Sequence, residues 1–166
     1  ANNLGMKPVV FETLEATNKA YFAGRCQAYT TDASGLASIR NKEADKPDDH
    51  LILPELISKE PLGPAVRRGD DEYFTIVEEY GISQANVDEM KASSKDPVVQ
   101  RILGTSEDTG KLLGLDKDWA YRPIKAVGNY GDIFERNVGP KSALKLPRGV
   151  NNLWNKGGLM YAPPVR

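Results

Sequence analysis

One cysteine and one histidine stand among 166 residues. A lone Cys26 can form neither an internal disulfide nor a cysteine metal cluster. A lone His50 excludes His-Glu-x-x-His sites, multi-histidine zinc sites and most non-haem iron sites. No charge of one sign is in excess. Lys and Arg number 22 against 23 Asp and Glu, a net charge of −1. That balance implies no strongly basic face, so neither nucleic acid nor an anionic membrane is an expected partner. No apolar run approaches the roughly 20 residues of a membrane helix, so the chain is not expected to be membrane-embedded. A signal peptide is also lacking, and the chain begins with Ala1 rather than Met, as a processed or excised chain would.

The hydrophobic fraction of 40% and charged fraction of 27% suit a folded domain rather than a disordered chain. The length suits one domain with a real core. Ala1 to Lys7 reads as the tail of an earlier helix and a turn. Pro8-Val9-Val10-Phe11 is a continuous apolar run, the pattern of a strand buried on both faces. Thr13 then caps a helix that carries Leu14, Ala20, Tyr21 and Ala23, and Gly24 stops it. A second strand, Cys26 to Thr30, completes a strand–helix–strand unit of about 30 residues. Ala33 to Asn41 reads as a helix and Leu51 to Leu53 as a third strand. Leu62 to Val66 holds two prolines counting its flank, which suits an edge or a crossing segment.

Helical patterns fill the remainder. A short helix from Tyr73 ends near Gly81, and a second, capped by Ser83, runs to Met90. Asp96 and Pro97 open another, closed by Gly104. Trp119 to Val138 is the longest candidate, with Ile124, Val127, Phe134 and Val138 at helical spacing. Gly128 and Gly131 inside it are expected to permit close approach, since each costs about 1 kcal/mol against alanine. Leu144 to Gly157 reads as a last helical segment, and Gly158 to Arg166 as extended. The fold class is therefore α/β: a small, mostly parallel sheet with helices after it.

The end of the second strand, Thr30-Thr31-Asp32, is the clearest place for a ligand, because loops at strand ends of α/β sheets bring polar groups together. Asp32 there can receive a cationic group, or it can simply cap the next helix; the residues leave both open. Other chemistry is weaker. Cys26 lies in an apolar strand, which suits a buried thiol better than a nucleophile paired with His50. Asp116 and Asp118 begin like a calcium loop but lack the later ligands. Gly128-Asn-Tyr-Gly131 neither comes after a strand nor carries the lysine of a phosphate loop. Asp70, Asp71 and Glu72 suit a helix start. Tyr29 and Trp119 as isolated aromatics suit core positions. No acid–base pair is defensible, so a ligand-binding module fits better than an enzyme.

Several stretches carry a stronger signal: Gly24-Arg-Cys-Gln-Ala-Tyr-Thr-Thr-Asp-Ala-Ser-Gly-Leu36, Leu53 through Asp71, Val127-Gly-Asn-Tyr-Gly131 with Phe134-Glu-Arg-Asn137, and Leu153-Trp-Asn-Lys-Gly-Gly-Leu-Met-Tyr-Ala-Pro-Pro164. Across nearly all 166 residues the chain resembles the periplasmic substrate-binding proteins of general L-amino-acid ABC transporters, within the family 3 extracellular solute-binding proteins. The resemblance implies a two-lobed periplasmic protein that closes on a free L-amino acid and delivers it to a membrane permease, with no catalysis and no cofactor. Residues 1–61 would belong to the second lobe, 62–70 to the return crossing and hinge, and 71–166 to C-terminal helices that return to the first lobe. Asp32 falls where the family binds the ligand's α-ammonium, with Thr31 beside it.

The departures are equally specific. The main body of the first lobe is missing, with the arginine and small hydroxyl residues that hold the ligand carboxylate. So is the first strand of the second lobe, whose cysteine the resemblance would pair with Cys26. Between Val77 and Glu78 relatives have further apolar helix. A fragment or deletion variant is expected, one that binds amino acids weakly or not at all. A structural protein that self-associates through exposed apolar surface is the alternative.

Overall fold

The computed structural model describes residues 5–60, 62–90 and 96–163. The chain divides into two units, Ala1–Leu62 and Gly63–Arg166. The segments expected at residues 1–4 and 164–166 lie outside the described residues.

The first unit holds helices α1 (Leu14–Phe22) and α2 (Ala33–Glu43) and a 3-10 turn at Pro47–Asp49. Helix α1 starts where the sequence places it. Thr13 is extended, and its Oγ1 accepts the Ala16 amide at 3.1 Å, satisfying one of the amides a helix start leaves unpaired. The helix stops at Gly24, whose φ is 72°.

The expected strands are different. Pro8–Phe11, Cys26–Thr30 and Leu51–Leu53 carry no β-ladder among the described residues. Val10 is 89% exposed and Leu51 83%. An apolar run can mark a strand, but the ladder's hydrogen bonds come from neighbouring strands that the run itself does not specify. Contacts of another kind hold these segments. The Arg25 guanidinium lies 5.7 Å from the Phe11 ring centre. Tyr21 meets Phe22, Tyr29 and His50 in one aromatic cluster.

The second unit is built on α3 (Asp71–Met90), which packs against α4 (Pro97–Ile102) and α6 (Tyr130–Asn137). Its core joins Val87 of α3, Val99 and Leu103 at α4 and Ile124 of α5 (Tyr121–Val127), with Tyr80 and Tyr121 packed on it. The two helices expected on either side of Gly81 are one. Gly81 is exposed within it, while Ser83, Gln84, Ala85, Val87 and Asp88 are all buried. The glycine costs about 1 kcal/mol; burying a face over the last two turns outweighs that.

The opposite correction applies to Trp119–Val138. It is two helices, α5 and α6, broken at Gly128, which has φ 84° and ψ −176°. Asn129 then opens α6 with a reciprocal cap: its side chain accepts the Asp132 amide at 3.0 Å, and Asp132 accepts the Asn129 amide at 3.2 Å. Leu144–Gly157, expected to be helical, contains only 3-10 turns at Gly149–Asn151 and Trp154–Lys156. A single parallel bridge, Leu153 to Met160, is paired backbone of strand type among the described residues.

Candidate functional site

Asp32 stands at the start of α2, and its carbonyl accepts the Leu36 amide at 2.8 Å. Its side chain makes no cap bond. Among the described residues the Asp32 carboxylate has no hydrogen bond or ion pair, and both Asp32 and Thr31 are exposed. The capping role that the sequence left open is thus filled by backbone position alone. An unengaged carboxylate over the positive end of an eleven-residue helix can accept an ammonium group. Thr31 sits over the first turn of α2, its Cγ2 about 3.5 Å from where a Cβ on Gly35 would be.

A polar network that the sequence did not reveal ties Tyr29 to α1 and to the far end of α2. The Tyr29 hydroxyl donates to Asn18 Oδ1 at 2.8 Å. Asn18 Nδ2 donates to both Glu43 oxygens, at 2.9 and 3.1 Å. Asn18 is 4% exposed. Burial and, second, the nearby Glu43 carboxylate push the Tyr29 hydroxyl above its ordinary value of 10.0. Tyr29 is therefore anchored through its hydroxyl, not offered as a stacking platform. The one available signal was Asn18 itself, four residues from Leu14 and three from Tyr21 on the same helix.

The remaining candidates separate. His50 Nδ1 bonds the Tyr21 hydroxyl at 2.9 Å, and Arg40 donates to the His50 carbonyl at 3.3 Å. No hydrogen bond joins His50 to Cys26 among the described residues. Cys26 is half-buried, not the fully buried thiol expected of an apolar strand. Asp116 and Asp118 both pair with Arg122, at 2.5 and 3.0 Å, which occupies them without a metal. Asp70 caps α3 by accepting the Tyr73 amide at 3.1 Å. Trp119 donates to Thr109 Oγ1 at 3.4 Å and, with Tyr73 and Tyr80, lines an open apolar cleft of about 510 Å³ in the second unit. That cleft does not include Asp32.

Comparison with known proteins gives a consistent result. The general L-amino acid-binding periplasmic protein of Rhizobium johnstonii is 60% identical over 177 residues, covering 99% of this chain and 51% of that protein. The chain is related to the periplasmic amino-acid-binding proteins of ABC transporters. The glutamate/glutamine/aspartate/asparagine-binding protein of Rhodobacter capsulatus is 49% identical over 178 residues, covering all of this chain and 52% of that protein. Among solved structures, an ABC transporter periplasmic binding protein from Brucella ovis with glutathione bound is 55% identical. It superposes with a TM-score of 0.76 over 96% of this chain and 53% of its own. The chain spans about half the length of the curated relatives it matches. No family model matches it. All three relatives are named as binding proteins. No helix among the described residues is long and apolar enough to cross a membrane.

Proposed function

We propose that this chain is part of a periplasmic protein that binds free L-amino acids and presents them to an ABC-transporter permease. The observation that carries the reading is the exposed, unengaged Asp32 carboxylate at the start of α2, in a chain whose relatives bind amino acids. Asp32 accepts the ligand ammonium, and Thr31 supports it with its hydroxyl. Residues 1–61 form most of one lobe. Its three extended segments become a small, mostly parallel sheet when strands from the rest of the protein pair with them. The exposed Val10 and Leu51 support that assignment, because such residues gain most from being covered. Residues 62–70 return to the other lobe, and 71–166 pack on it. Binding rests on lobe closure, with no covalent step and no cofactor.

Calorimetry tests this. The chain alone should show no heat of binding with L-glutamate, L-glutamine or glutathione at micromolar concentrations, since half of the cleft lies elsewhere. The full-length protein should bind an L-amino acid. Micromolar affinity in the chain alone, or none in the whole protein, would defeat the proposal. A second reading, a structural protein that self-associates, draws on the same exposed Val10 and Leu51. Sedimentation of this chain separates the two, because a clean monomer argues against self-association.

A further inference from the structure

We infer that Tyr29, Asn18 and Glu43 together position the Asp32 carboxylate for its ligand. The inference rests on the proposed role of Asp32 and extends it to residues that touch no ligand. Tyr29 lies three residues before Asp32, on the same extended segment. The segment carries no β-ladder among the described residues, so side chains must hold it. Three polar contacts anchor Tyr29 at one end and, at the other, the helix that Asp32 opens. The Tyr29 hydroxyl is tied to Asn18 on α1, and Asn18 is tied to both oxygens of Glu43, the last residue of α2. Asp32 begins the same helix that Glu43 ends.

The network therefore closes a loop: from Tyr29 to α1, across to the C-terminal end of α2, and along α2 back to Asp32. The Leu36 amide holds the Asp32 carbonyl at 2.8 Å from the helix side. Two of the three partners are well placed to be rigid. Asn18 is nearly fully buried, and the Tyr29 ring packs 5.6 Å from that of Tyr21, which bonds His50. An acceptor that must meet an ammonium within hydrogen-bond range loses affinity when its mounting is free to move.

The test is a double-mutant cycle in the full-length protein, read by displacement calorimetry with L-glutamate. Tyr29→Phe and Glu43→Gln should each weaken binding by about three- to tenfold, the scale of one hydrogen bond. Neither should weaken it further in an Asp32→Asn background, because their effect passes through that carboxylate. Equal losses with and without Asp32 would overturn the inference and leave only a structural role. An unchanged affinity in both single variants would also overturn it, with Asp32→Asn still reporting on the site itself. If Asp32→Asn binds as the parent does, the site reading fails and the inference fails with it. Thermal melts accompany each variant. Should Tyr29→Phe fold poorly, Glu43→Gln carries the test, since Glu43 is an exposed side chain at a helix end.

Discussion

At Gly131 a single methyl group has nowhere to go. A Cβ there would collide with Asp88 Oδ1 and lie 3.2 Å from Arg148 Nη1. Both belong to a bidentate pair at 3.2 and 2.8 Å, with side chains only 10% and 13% exposed. The Arg148 guanidinium also covers the Tyr130 ring at 5.3 Å and the Phe134 ring at 5.9 Å. Gly131→Ala should therefore destabilise the second unit by about 1–3 kcal/mol, the usual cost of overpacking, as measured by urea melts. Removing Asp88 while Arg148 stays should cost more, about 3–5 kcal/mol, because it leaves a buried charge without its partner. Replacing both, as in Asp88→Leu with Arg148→Met, should recover part of that loss. A loss as small for Asp88→Ala as for an exposed residue would refute the account. The sequence singled out Gly131 as a place of close approach. It held no sign of what approaches, since Asp88 and Arg148 are 60 residues apart.

Two helix starts were legible because a cap closes within three or four residues, whereas Ser83, expected to open a helix, is buried inside α3. Thr13 and Asp96 both accept amides of the first turn, at 3.1 and 2.9 Å, as their positions before apolar periodic segments indicate. Helix lengths were not legible. Gly81 and Gly128 look alike in sequence, yet α3 runs through one and α5 ends at the other. The residues downstream of each glycine make the difference. After Gly81 a face from Ser83 to Asp88 is buried against α4 and α6. After Gly128 the Asn129–Asp132 cap offers the next helix its own start. Gly128 sits at φ 84°, and a Cβ there would lie 2.6 Å from Asp132. Gly128→Ala should cost about 1–3 kcal/mol from the backbone alone, since this φ/ψ region is essentially glycine-only. Circular dichroism should show helix loss at this junction rather than a fused, longer helix. A gain in helicity with unchanged stability would contradict the assignment.

For the whole molecule, the alkaline range probes both units. The Tyr29 and Tyr130 hydroxyls are pushed above their ordinary 10.0, mainly by burial; Glu43 adds to it at Tyr29, while at Tyr130 the Arg148 guanidinium opposes it and Asp88 adds to it. A raised value means that the folded state holds the proton longer than the unfolded chain does. The stabilisation is complete below pH 10 and is lost as pH rises through the folded values. Melting temperature should fall above pH 10, and Tyr29→Phe with Tyr130→Phe should flatten that fall; a slope unchanged by the double variant would show that other groups set it. The sequence by itself determined the caps at Thr13 and Asp96, the helical nature of residues 71–90 and 121–137 in outline, and a kinship with amino-acid-binding transport proteins. All of these are recorded in residues close together or in motifs read along the chain. Tertiary structure alone decided whether apolar runs such as Pro8–Phe11 pair into strands, and it left them without a ladder among the described residues. It also decided that Tyr29, Asn18 and Glu43 meet, at separations of 11 and 25 residues. The reason is the same in both cases. Such bonds form only when distant parts of the chain are brought together, and local pattern does not encode which parts those are.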